Sequence, residues 1–149
     1  LASKNPLYAK AGKYVFDHTG YKGMIEGQVL DLRRPKTYDK DYLLNVYDKK
    51  TSDLFKASII SAAIISNLSE KEKASLENYA LNLGLAYQIQ DDLLEDTYKD
   101  ELNILNIMRK PDARALLDKI NNDARKDILK FNKNDFLLFL INYLSERKK

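Results

Sequence analysis

Apolar residues recur along this chain at spacings of three and four, the period of an amphipathic helix. Leu7, Ala11, Tyr14, Val15 and His18 predict a first helix, with Pro6 in its opening turn and Gly20 as its interruption. Residues 23–32 predict a second, or a continuation of the first after a kink. Gly23 and Gly27 lie four apart on one face of it, where another backbone can approach closely. Pro35 marks a connection over residues 33–36. Leu43, Leu44 and Tyr47 predict a short helix, and residues 51–67 a longer one with Leu54, Ser58, Ala62 and Ile65 on its face. Small residues recur there at Ala57, Ser58, Ser61, Ala62 and Ala63. They suit close helix packing, and equally suit a space for an apolar ligand. Ser69 and Glu72 form a capping box. The helix it opens carries Leu76, Ala80, Leu83 and Tyr87 and runs to about Glu95. Pro111 opens another, with Leu116, Leu117, Ile120, Ala124, Ile128 and Phe131 on its stripe. Asn134 is expected to cap the last helix, over residues 135–147. Its 136–144 stretch is apolar nearly all round and is expected to be buried.

Composition reinforces an all-α fold. The 149 residues include five Gly and three Pro, and no glycine follows Gly84. A sheet protein with tight turns rarely manages that. Hydrophobic residues are 44% and charged residues 32%, an ordinary globular mix rather than a disordered one. The net charge of +3 is interspersed and lacks the footprint of a nucleic-acid binder. The absence of cysteine excludes a disulfide scaffold, a zinc finger and a thiol nucleophile, and fits a reducing compartment. The 57–68 apolar run falls short of the ~20 residues that span a bilayer. The chain begins at Leu1 rather than Met, without a secretory signal pattern. The expectation is one soluble, cytoplasmic helical domain whose natural N-terminus lies upstream.

One feature stands apart. Gln88, Asp91, Asp92 and Glu95 fall at i, i+3, i+4 and i+7, a polar stripe at the end of an otherwise apolar helix. Like charges at this spacing cost roughly 0.2–0.5 kcal/mol per pair, and the helix C-terminus disfavours negative charge. No Lys or Arg lies between Glu77 and Tyr98 to compensate. The stripe is either a solvated acidic helix end or a site for a hard divalent cation, for which Mg2+ has the matching oxygen chemistry.

Three segments occur in order: Gly23-Met-Ile-Glu-Gly-Gln-Val-Leu-Asp31, then Lys50-Thr51, then Gly84-Leu-Ala-Tyr-Gln-Ile-Gln-Asp-Asp-Leu-Leu-Glu95. In this order and spacing they resemble the C-terminal half of the trans-prenyl diphosphate synthases, the short-chain farnesyl and geranylgeranyl type above all. The resemblance covers the chain from about Gly20 onward. It implies a helical bundle of the isoprenoid synthase type, usually homodimeric, that joins an allylic diphosphate to isopentenyl diphosphate with Mg2+. Residue by residue, it implies that Asp91 is a direct metal ligand, that Asp92 acts through metal-bound water, and that Glu95 stands in the place of an Asp. It makes Lys50 a contact of the allylic diphosphate. The oxygens of Thr51 and Gln88 would face the developing cation, and Gln28 and Asp31 would lie beside the metal. Tyr87 replaces a Phe, and its hydroxyl would need a partner if buried.

Each of these has a plainer alternative. Lys49-Lys50 reads by itself as a surface pair, Gln28 and Asp31 as a polar helix face, His18 as structural or exposed, and Arg33-Arg34 as solvated. Two departures from the family pattern follow. The other aspartate-rich motif is absent, so the chain by itself is expected to be inactive. The Gly- and Lys-bearing loop after the acidic helix is shortened, leaving Lys99 as the one basic residue near that place. A second reading is a non-catalytic helical subunit that docks on a complete synthase. A third is a helical interaction module with no ligand.

Overall fold

A computed structural model describes residues 5–95 and 101–147. Seven α-helices follow one another, and no strand occurs among the described residues: α1 (Pro6–Thr19), α2 (Met24–Leu32), α3 (Lys40–Tyr47), α4 (Asp53–Ile65), α5 (Glu70–Leu94), α6 (Lys110–Ile128) and α7 (Asp135–Glu146). None is long and apolar enough to cross a membrane. Residues 96–100, which contain Lys99 and most of the shortened loop, lie outside the described residues.

The central element is α5. Its capping box forms as the sequence predicts, with Ser69 and Glu72 satisfying each other's backbone donors. Its C-terminal half is buried on nearly every side, and it packs on α4 and on α6, while α1 lies along α4. Two apolar cores result. One joins Leu43, Val46 and Tyr47 to Ile89, Leu93, Ile104 and Leu117. The other joins Ile60 and Ala63 to Tyr79, Leu83, Ala124, Ile128 and Ile141.

Between α3 and α4 the chain does not break. Residues Asp48–Ser52 form one π-helical turn, so the expected short and long helices are a single bent rod. Two glycines grip that turn. A Cβ on Gly27 of α2 would stand 2.4 Å from the Lys50 nitrogen, and one on Gly84 of α5 would stand 2.4 Å from the Ser52 Cα. Only hydrogen at both positions lets α2 and α5 close on the turn. Gly23 and Gly27 both make the close backbone approach expected of them: Gly27 meets the turn, and Gly23, the N-cap of α2, meets the His18 backbone.

Several faces differ from expectation. Leu54, Ser58, Ala62 and Ile65 of α4 are exposed, and the buried face is Asp53, Lys56, Ala57, Ile60 and Ala63. Lys56 ion-pairs with Asp48 and, at 3.2 Å, with Asp53, so a charged triad lies on the interior side. Burial pushes the Asp53 carboxyl up, against the pull of Lys56. The Lys56 ammonium is held above its usual value because the bonds and charges of Asp48 and Asp53 outweigh its own burial. On α7 only Ile141 is buried, while Phe136, Phe139 and Tyr143 are exposed. Asn134 stands at the N-cap position of α7 as expected, but its side chain makes no cap bond there. Its amide donates back to the carbonyls of Ile128 and Phe131 and closes α6 instead. His18 is structural, stacked on Tyr14 with its Nδ1 2.9 Å from the Tyr14 carbonyl.

Candidate functional site

The π turn sets the site. It carries Lys50 and Thr51 on a backbone held between α2 and α5. A π turn inside an α-helical rod is frequently found at functional positions. Both lysines of the doublet turn toward α2. Lys49 donates to Glu26 at 2.8 Å, and Lys50 donates to Asp31 at 2.6 Å. Neither is a free surface lysine. Arg34 lines the same place and donates to the Asp31 carbonyl at 3.1 Å, so it is not purely solvated either. On the other side Thr51 Oγ1 donates to Gln88 Oε1 at 3.0 Å, linking the turn to α5.

Asp31, Arg34, Lys50, Gln88, Asp92 and Glu95 line one open cleft of about 230 Å3. Three segments remote in sequence meet there. Gln28 does not: it is exposed on α2, away from the cleft. Asp91 does not line it either. It points to the end of α7, where Arg147 forms an ion pair with it. The Arg147 guanidinium also lies over the Tyr87 ring, 3.9 Å from its centre, and donates to the Tyr87 carbonyl at 3.0 Å. The charge compensation missing near α5 in the sequence is thus supplied from the far end of the chain.

Asp92 is buried at 2% exposure. Its Oδ2 accepts from the Tyr47 hydroxyl and, at 2.7 Å, from the Ile104 N–H. Burial pushes its carboxyl up to about 7. The bonds from Tyr47, Ile104 and Gln88 oppose that rise, and the charge of Glu95 adds to it. The Tyr47 hydroxyl is itself driven up, by burial first and then by the Asp92 charge. Glu95 is the C-terminal cap of α5, with extended backbone, and its Oε2 accepts from the Asn103 amide at 2.7 Å. Tyr47, Asn103, Ile104 and Arg147 were not identified from the sequence. The one available signal was a buried-type aromatic at Tyr47; the others depend on contacts across the fold.

Among the described residues no three acidic or histidine side chains converge tightly enough to hold a metal by themselves. Magnesium, however, commonly takes only one or two carboxylates and completes its shell with water and phosphate oxygens. Asp31, Asp92 and Glu95 on one cleft fit that donor chemistry, beside the cation of Lys50 that a phosphate would meet.

Comparison with known proteins gives the site its context. Residues 13–108 match the family model of the polyprenyl synthetases. A farnesyl diphosphate synthase of Micrococcus luteus is 32% identical over 88% of this chain and 50% of its own length. The solved FPP/GFPP synthase of Zymomonas mobilis superposes with a TM-score of 0.86 over 95% of this chain and 52% of its own, at 24% identity, and so shares the fold. The geranyltransferase of Helicobacter pylori, solved with magnesium and isoprenyl diphosphate, superposes at 0.76 over 95% of this chain and 52% of its own, at 22% identity. The chain spans about half the length of the curated relatives it matches. It is all-helical, it matches that family over most of its length, and it belongs to the polyprenyl synthetases.

Proposed function

We propose that residues 1–149 are the C-terminal portion of a single helical prenyl diphosphate synthase domain. The whole enzyme would condense an allylic diphosphate with isopentenyl diphosphate to give farnesyl or geranylgeranyl diphosphate, as a cytoplasmic homodimer. One observation carries this reading: Asp31, Lys50, Gln88, Asp92 and Glu95, spread over three segments, meet on a single cleft.

The geometry supports this reading. Lys50 lies beside Asp31 and can exchange that carboxylate for a diphosphate oxygen. The oxygens of Thr51 and Gln88, already bonded to each other, give the allylic end a neutral wall of lone pairs. That wall tolerates positive charge without capturing it. Asp92 and Glu95 would hold Mg2+ from the cleft, and Asp91 would join them by giving up Arg147. Asp31 would complete the α2 side, without Gln28, which is exposed away from the cleft. Magnesium, when bound, neutralises charge on the departing diphosphate.

Calorimetry with Mg2+ and an unreactive allylic diphosphate analogue tests the reading. The chain is expected to bind the pair. Lys50→Ala and Asp92→Ala are each expected to weaken binding by about tenfold or more, the effect of losing a charge-assisted contact. No heat from the unaltered chain would overturn the assignment. The chain alone is expected to form no prenyl product, and turnover by it would overturn the claim that it is a portion of the site.

A further inference from the structure

Asn103 is a polar residue with no exposed surface. Both polar atoms of its side chain are bonded: Oδ1 accepts from the Leu105 N–H at 2.8 Å, and Nδ2 donates to Glu95 Oε2 at 2.7 Å. The first bond settles the direction of the second. A backbone N–H can only donate, so the amide oxygen must face Leu105 and the NH2 must face the carboxylate. The backbone of Asn103 is pinned as well, its N–H donating to the Tyr38 hydroxyl at 3.0 Å. That hydroxyl lies 3.1 Å from the Asn103 carbonyl and also takes the Asn106 amide at 3.1 Å. Tyr38, at the end of the connection into α3, thus fixes the residue that fixes Glu95.

Glu95 needs holding. It is the C-cap of α5: its N–H still bonds the Asp91 carbonyl at 3.1 Å, but ψ at 137° turns the following chain away, so no further helical turn packs beside its side chain. A glutamate also has one more rotatable bond than the aspartate the family pattern has here, and more rotamer freedom to lose. We propose that Asn103 is a positioning residue that aims the Glu95 carboxylate into the cleft it shares with Lys50 and Asp92, for a divalent cation and diphosphate. The inference rests on the metal–diphosphate reading of the cleft given above. Residues that orient a metal ligand in this way typically change metal affinity by about 10–100-fold when removed.

The test reads free Mn2+ by electron paramagnetic resonance, using the full chain with inorganic pyrophosphate. Asn103→Ser keeps an oxygen for the Leu105 N–H, as N-cap residues do, but has no donor to reach Glu95. It is expected to raise the Mn2+ dissociation constant about tenfold. In a Glu95→Ala background the same substitution is expected to change it less than about twofold, because the two act as one unit. Wild-type affinity in Asn103→Ser, or an equal loss in both backgrounds, overturns the proposal. Failure of the unaltered chain to bind Mn2+ with pyrophosphate overturns the metal reading itself. Failure confined to the variants overturns only the role of Asn103.

Discussion

Asp91 and Asp92 are adjacent in sequence and have opposite surroundings. Asp91, on the flank of α5 facing α7, is partly exposed and ion-paired with Arg147. Asp92, one helical step round, is buried and held by Tyr47 and the Ile104 N–H. A step of about 100° separates a charge that keeps solvent and a counter-ion from one whose ionisation is opposed by burial. Identical residue types in one motif need not share a role, because the neighbours on each flank decide what the carboxylate costs.

The contrast can be broken most forcefully at Asp92. Its folded-state carboxyl titrates near 7, above the unfolded value of about 3.8. A raised value contributes stability that is fully present below the unfolded value and is lost as pH rises through the folded one. The protein is therefore expected to lose on the order of 3 kcal/mol of stability from this group between pH 4 and 8. Asp92→Asn should flatten that slope, as urea unfolding at a series of pH values would show. Asp91→Asn should leave the slope in place. Next in size is Tyr47→Phe, which removes a donor from a buried carboxylate and should cost about 1–3 kcal/mol at neutral pH. Chemical denaturation measures it, and a loss below a few tenths would mean that the hydroxyl is not supporting Asp92. Arg147→Ala should be milder, about 1 kcal/mol from a partly exposed pair and its aromatic contact. That loss should shrink in high salt, unlike the loss from Tyr47→Phe. Smallest is Asp91→Asn itself, which should cost about 0.5 kcal/mol or less at neutral pH. A cost equal to that of Asp92→Asn would erase the distinction.

Much of the fold was legible because helix signals are local. The capping box at Ser69, the proline at the start of α6 and the span of α5 each need only a few neighbouring residues. The choice of buried face was less legible wherever a helix is apolar on more than one side. On α4 the sequence offers Leu54 and Ile65 as an inviting stripe. The core instead takes the face with Asp53 and Lys56, i,i+3 neighbours whose charges pair with each other and with Asp48 one turn upstream. The same ambiguity misled the expectation for α7. In the cleft, Lys50, Gln88, Asp92 and Glu95 were legible through their order and spacing. Tyr47, Asn103 and Arg147 were not, because each acts on a residue to which no short-range pattern links it.

The π turn at Asp48–Ser52 has a geometric consequence beyond its placement of Lys50. One extra residue in a helical rod turns everything downstream by about 100° and advances it about 1.5 Å. The rod thus carries two registers, with Leu43, Val46 and Tyr47 of α3 packing on the C-terminal half of α5 and Ile60 and Ala63 of α4 on its N-terminal half. That single added residue acts as a rotational joint. Removing it would bring α4 back into phase with α3 and swing the Lys56 triad off its interior face, so the reading frame of the helix is as much a part of the site as the residues on it.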